Sequence, residues 1–319
     1  ILLKLILLMI NKYIKNGFAI LDTSYDENYI NNLKSEINSL FKNDEGVSLS
    51  VSGIDNKEIF NKIVKILNTN EIQKFTKSLS DHYKTNVSIL PNFHIMRNYH
   101  VNRLKANRVG WHRDVASEFN YQYCKDKINN DKYVFGKVGI FLQENSEDFG
   151  GAVDLIPGSH LNIKKNIFLK MLSSLRLQFL VFLQKNLLNF YKLLPEEFYL
   201  FILGAKKTNA QPGSPIFFDS RVQHRGSPIK DKFLSGTKRL GDMHILVPKT
   251  YTKISIYAYF GSTDGADSYM HARTKRESAE YKKYFSGWLK EVEKYKDYKS
   301  LYNSMLSITN PLKEKYKDN

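Results

Sequence analysis

Gly213-Ser214-Pro215-Ile216-Phe217-Phe218-Asp219-Ser220-Arg221-Val222-Gln223-His224 alternates with a period of two. In an extended chain Ile216, Phe218, Ser220, Val222 and His224 share one face, and Phe217, Asp219, Arg221 and Gln223 share the other. An apolar row that ends in a histidine reads as the inner wall of a β barrel, with a metal ligand near its mouth.

Upstream, Trp111-His112-Arg113-Asp114 supplies two further ligand types. Residues i and i+2 of a strand project from one face, so His112 and Asp114 can reach one ion while Arg113 turns away. Two imidazoles and a carboxylate occupy one face of an octahedral iron and leave three positions open, the ligand set of non-haem Fe(II) oxygenases. A lone His-x-Asp pair reads as a surface turn. Its weight comes from order: Gly150-Gly151-Ala152-Val153-Asp154-Leu155-Ile156 and Pro157-Gly158-Ser159-His160 stand between the His112–Asp114 pair and His224.

With these pieces in sequence, the chain resembles the phytanoyl-CoA dioxygenase family of Fe(II)/2-oxoglutarate-dependent oxygenases. The resemblance covers roughly residues 11–260. It includes Tyr13-Ile14-Lys15-Asn16-Gly17-Phe18-Ala19-Ile20-Leu21 and the strand Lys137-Val138-Gly139-Ile140-Phe141-Leu142-Gln143. It implies a mainly β fold with flanking helices around a double-stranded β-helix, or jelly roll. It further implies Fe(II) held by His112, Asp114 and His224, with 2-oxoglutarate as cosubstrate, dioxygen as oxidant and hydroxylation of an unactivated C–H bond as the outcome. No catalytic residue is expected beyond the metal ligands. Related halogenases replace the carboxylate by a small residue, and Asp114 leaves no such vacancy.

The family holds the far carboxylate of 2-oxoglutarate with an arginine after the distal histidine. Arg239 is the candidate here, heading an apolar row of Met243, Ile245 and Val247, because the planar guanidinium fork suits a carboxylate. Arg225 has the wrong parity to point inward beside His224. The spacing to Arg239 is longer than the family's, and Ile229 to Thr237 read as an inserted loop. Ser227 resembles a family serine that helps hold the cosubstrate. His94-Ile95-Met96-Arg97-Asn98 occupies the cosubstrate-lining region, with Asn98 the residue singled out. A jelly-roll binding module or zinc protein using the same three ligands without redox chemistry is the alternative.

A chain of 319 residues, 42% hydrophobic and 25% charged, can bury one large core and is read as a single domain spanning 1–319. The lone Cys124 excludes an internal disulfide, which fits a reducing cytoplasm. The net charge of +16 is spread in short runs without a nucleic-acid motif, so a small-molecule substrate is expected and nucleic acid is not. Lipid-like, sugar-linked and small-metabolite substrates all remain open, as does the oligomeric state. The apolar stretch Ile1 to Ile10 is shorter than the ~20 residues a bilayer span needs and lacks a small-residue cleavage site. The family-like pattern begins just after Met9, which is the expected start.

Residues 11–86 read as a helical flank, with helices over 25–41 after Asp22-Thr23-Ser24 and two more over 56–84. The β-helix core is assigned to 87–160 and 211–260, and 261–319 to a C-terminal helix and charged tail. Between the core halves, 161–210 forms a helical insertion whose residues 163–194 are broadly apolar, with Lys170, Ser173, Ser174, Lys185, Asn189 and Lys192 as a limited polar face. Such a segment is a packing lid or a peripheral membrane contact.

Overall fold

A computed structural model of the chain describes residues 2–23, 25–41, 48–50, 56–97, 99–101, 111–130, 132–146, 150–161, 167–187, 196–227, 238–240, 244–246, 253–275 and 278–316. The N-terminal region comprises α1 (Leu2–Asn16), β1 (Phe18–Ile20), α2 (Glu27–Ser39), β2 (Ser48–Ser50), α3 (Lys57–Leu67) and α4 (Asn70–Tyr83). Next come β3 (Ser88–Arg97), β4 (Tyr99–Val101), a 3-10 turn (Asp114–Asn120), α5 (Gln122–Ile128), β5 (Phe135–Phe141) and β6 (Val153–Leu155). The insertion holds α6 (Ile167–Asn186) and α7 (Glu196–Leu203). The second half of the core holds β7 (Lys206–Lys207), β8 (Pro215–Asp219), β9 (His224–Gly226), β10 (Lys238–Leu240), β11 (His244–Leu246) and β12 (Ile254–Gly261). Three helices follow: α8 (Thr263–Arg273), α9 (Ser278–Glu293) and α10 (Lys299–Lys315).

Six strands form one antiparallel sheet in the order β1-β8-β5-β12-β3-β2. Strand alternation gives this sheet two buried faces. Ile95, Ile140, Phe217, Ile256 and Phe260 point outward into a core shared with Tyr13, Leu33, Ile63 and Phe75 of α1 to α4. Phe141, Ile216 and Phe218 point inward and meet Val153, Leu155 and Val222. The opposing layer consists of the three-stranded sheets β7-β6-β9 and β10-β11-β4. Two packed antiparallel layers with helices outside make a jelly-roll core, as the sequence implies.

Several boundaries differ from the sequence reading. The helical flank contains two strands, and β1 pairs with β8 at Phe18↔Phe218. Gly17 permits the turn into β1 at φ +79°, where an added Cβ would collide with Val222 and His160. The cap of α2 is Asp26, which accepts from Tyr29 N at 3.1 Å, rather than the Asp22-Thr23-Ser24 segment. Ile6, Ile10 and Tyr13 of α1 are buried in the main core. The one C-terminal helix expected within 261–319 is three, α8, α9 and α10, and the last runs through Pro311 to Lys315. Arg239 and Ile245, read as one strand row, lie on two antiparallel strands, β10 and β11, and pair with each other. Residues 229–237 lie outside the described residues.

The strand expected to run through His224 is broken. Asp219 ends β8, and its carboxylate accepts from Arg221 N and Nε, each at 2.8 Å, and from Arg221 Nη2 at 2.6 Å. Arg221 also donates to the carbonyls of Ile128 and Tyr133. This buried corner carries the chain from the large sheet into the small one. The apolar row keeps its phase across the corner, so Ile216, Phe218 and Val222 still share an interior with His224.

Behind β9 lies a second polar knot. Arg225 is fully buried, donates from Nε to Asp154 at 2.9 Å, and sits between the rings of Trp111 and Tyr199 at 4.9 and 4.8 Å. Leu180 and Leu183 of α6 and Leu200 and Leu203 of α7 cover this column. Replacing Asp154 by Ala is expected to cost about 3–5 kcal/mol in urea unfolding, because it strands a buried guanidinium. Asp154→Leu combined with Arg225→Met is expected to cost clearly less.

Candidate metal centre

His112 and His224 are held together by the backbone before their side chains are considered. His112 N donates to His224 O and His224 N to His112 O, both at 2.9 Å, so the two residues form a reciprocal antiparallel pair. Directly opposed side chains lie on one face, and the imidazole centroids are 4.3 Å apart. Asp114 arrives differently from the sequence reading. It opens the 3-10 turn instead of continuing a strand, and its N–H donates to Ser220 O at 2.9 Å. That turn brings Asp114 Oδ1 to 3.9 Å from His112 Nε2 and Oδ2 to 3.7 Å from His224 Nε2. One donor atom from each of the three residues lies within 4.8 Å of the others, and this cluster could hold a metal ion.

The electrostatics suit a cation. Burial alone would raise the Asp114 carboxyl, but Lys137, then His224 and His112, overcome it and hold the group well below the usual carboxylate range. Lys137 Nζ donates to Oδ1 at 2.8 Å, whereas Oδ2 is buried with no hydrogen-bond partner. A buried, unsatisfied carboxylate oxygen is costly unless something positive meets it. Burial, only partly opposed by Asp114, lowers His224 to about 3, so its imidazole is neutral. His224 Nδ1 faces Val222 O at 3.0 Å and carries the proton there, which leaves the Nε2 lone pair for a metal. His112 is the open member, its side chain 54% exposed. A dication fits this donor set.

Beside the triad, the inward face of the large sheet forms the wall of the site. Lys137 lies 5.8 Å from the rings of both Tyr257 and Tyr259. His94 stacks on Tyr257 at 5.4 Å, and burial followed by Lys137 lowers it to about 4. Under the site, burial raises Glu118 to about 7 against hydrogen bonds from Ser268 Oγ at 2.5 Å and Tyr133 at 3.3 Å.

Of the other residues singled out by sequence, Ser227 is on the strand face opposite His224. Its hydroxyl donates to Asp154 Oδ1 at 2.6 Å and accepts from Asn145 at 3.0 Å, so the structure does not bring it to the triad. Arg225 also faces away from the triad, as its parity requires, into the column behind β9. Arg239 is placed only by its backbone in β10, and Asn98 lies outside the described residues. Lys137 was missed. The signal for Lys137 was its phase in β5, opposite to Val138 and Ile140 and shared with Phe141. Lys253, 2% exposed, precedes β12 in phase with Tyr257, and burial, opposed by Asp154, lowers it to about 8.

No protein-family model and no curated protein matches the sequence. Among solved structures, the chain is similar to EctD from S. alaskensis in its apoform, at 12% identity over 80% of this chain and 76% of that one, with a TM-score of 0.45. It is also similar to SnoN, the non-heme alpha ketoglutarate dependent epimerase from nogalamycin biosynthesis, at 11% identity over 82% and 84% of the two chains, with a TM-score of 0.46. A third is EvdO2 from Micromonospora carbonacea var. aurantiaca complexed with 2-oxoglutarate, at 12% identity over 80% and 89%, with a TM-score of 0.42. At such identities and scores, the chemistry is read from this chain's own residues.

Two outcomes are expected. His112→Ala, Asp114→Ala and His224→Ala each lose divalent-metal binding in equilibrium dialysis while keeping the wild-type far-UV circular dichroism; undiminished binding in the last two would place the ligands elsewhere. For Glu118 the folded pKa is raised, so stability is full below pH 4.5 and falls as pH rises through about 7. Glu118→Gln is therefore expected to unfold like wild type at pH 4.5 and to be about 2–3 kcal/mol more stable at pH 8 in urea titrations.

Proposed function

We propose that this protein is an Fe(II)- and 2-oxoglutarate-dependent oxygenase that hydroxylates an unactivated C–H bond of a small molecule. The observation that carries the reading is the buried, unpartnered Oδ2 of Asp114 set among two imidazoles, with Lys137 on the other oxygen. The ordered motifs around the three ligands, which resemble the phytanoyl-CoA dioxygenase family, support it. When bound, iron and 2-oxoglutarate supply the oxidising chemistry: one dioxygen is consumed, 2-oxoglutarate leaves as succinate and carbon dioxide, and the second oxygen atom enters the substrate as hydroxyl.

The chain's own residues have definite tasks in that reaction. The His224–Val222 contact orients the Nε2 lone pair. Lys137 fixes the Asp114 carboxylate so that one oxygen serves the metal. A dication with Asp114 and Lys137 carries two net positive charges, which a dianionic, chelating cosubstrate balances. Tyr257, Tyr259 and the neutral His94 wall the interior, where exclusion of water protects an oxidising centre. A cytoplasmic setting that keeps iron ferrous belongs to the same proposal.

The far carboxylate of 2-oxoglutarate needs a cation in a shielded place. Arg239 is the residue proposed from the sequence. Lys253 is a second reading, favoured by its burial at the start of β12. Ser227 and Asn98 stay as secondary proposals for cosubstrate contact, and the engagement of Ser227 by Asp154 weighs against it.

Anaerobic addition of Fe(II) and then 2-oxoglutarate to the metal-free protein tests the main reading. A weak visible charge-transfer band is expected in the wild type and not in Asp114→Ala; absence of the band alongside tight zinc binding would leave the non-redox metal protein instead. In the same titration, loss of the clamp is expected to raise the 2-oxoglutarate Kd roughly 10- to 150-fold with little change in iron binding. Arg239→Ala and Lys253→Met, compared side by side, identify which cation it is.

A further inference from the structure

The insertion has two faces of opposite character. On α6, Leu180 and Leu183 are buried against Trp111, while Leu175, Phe179 and Phe182 stand about half exposed on the other side. On α7, Tyr199, Leu200 and Leu203 turn inward, while Phe198 and Phe201 turn out and stack on each other at 6.5 Å. Phe201 is 78% exposed. Among the described residues, the other exposed large apolar side chains are Leu7 and Leu8 on α1, together with Leu161, Met171 and Leu187 in this same region. The inward faces already supply what packing requires, so the outward aromatic and aliphatic row serves neither the core nor solubility.

The charge of the segment that carries this row is predominantly basic. Residues 161–203 contain Lys164, Lys165, Lys170, Arg176, Lys185 and Lys192 against Glu196 and Glu197 at the start of α7. Elsewhere the chain mixes signs freely, with 48 basic and 32 acidic residues in total. No helix among the described residues is long and apolar enough to cross a membrane. An apolar face on a short helix pair within a net basic segment matches a surface that is apolar below and negative above.

We propose that the outward face of α6 and α7 docks this protein on an anionic lipid surface. Phe179, Phe182, Phe198 and Phe201 enter the headgroup and acyl boundary, and the basic excess of the segment attracts it to the lipid phosphates. The docked pair is tied to the metal centre, because Trp111 Nε1 donates to Tyr199 OH at 3.3 Å and His112 is the next residue. Docking does not depend on which metal the centre holds.

Co-sedimentation of the full chain with vesicles tests the proposal, using phosphatidylcholine alone and phosphatidylcholine with phosphatidylserine, each at low and high salt. Binding to the anionic vesicles is expected, at least fivefold weaker on neutral ones and reduced at high salt. Phe182→Ser with Phe201→Ser should lower it at least tenfold, whereas Leu7→Ser, an exposed apolar site on α1, should leave it unchanged. All of these side chains are exposed, and unchanged thermal unfolding checks that the variants fold. Absence of binding to both vesicle types overturns the proposal. So does equal, salt-insensitive binding to both, or loss of binding in Leu7→Ser but not in the double variant. A dimer in sedimentation velocity that the double variant abolishes, with no lipid binding, would assign the face to a second copy of the chain instead.

Discussion

Everything at the metal centre depends on the reciprocal pair of backbone hydrogen bonds between His112 and His224. Side chains alone hold ligands loosely, because each rotatable bond must be fixed at an entropic cost. Here the main chain sets the spacing of two donors, and the remaining freedom is ring rotation, which Val222 O removes for His224. The third ligand is fixed by the same neighbourhood, since Asp114 N bonds the carbonyl of Ser220, within the corner that turns the chain toward His224. The jelly roll matters to the chemistry chiefly because its two layers bring these segments edge to edge.

That corner explains an economy of the fold. Asp219 and Arg221 satisfy each other and two further carbonyls, so a buried charge pair can sit where the chain leaves one sheet for the other. A buried ion pair is a weak source of stability but a good enforcer of one geometry over its alternatives. Arg225 and Asp154 act in the same way on the next strand, where they lock the insertion helices to the back of β9. The site is thus framed by two charged knots, one ahead of His224 and one behind it.

The cluster of His112, Asp114 and His224 was legible in the sequence because metal chemistry admits few residue types and places them in a fixed order. Helices α2 to α4 were legible from periodicity, and β5 from the family resemblance. The corner at Asp219 was invisible because alternation continues in phase across it, so a break in the strand left no mark on the pattern. The antiparallel pairing of β10 and β11 escaped for a related reason: two short strands close in sequence mimic one longer strand. Ser227 was drawn toward the cosubstrate by proximity to His224, yet an odd offset along a strand sends a side chain to the opposite face. Lys137 could not be weighed from sequence, since an inward lysine has meaning only once the carboxylate it meets, 23 residues earlier, is known to be there.

Lys137 also bears on when a metal ion could join this cluster. Small metal-dependent domains often fold only as the ion arrives, because their ligands repel or desolvate one another without it. In this chain the one anionic ligand already has an internal cation, and the buried imidazole of His224 stays neutral beside it. The cluster is therefore close to electrically balanced by itself, and folding need not await a metal ion. Metal binding would then be a late step, separate in time from the making of the polypeptide.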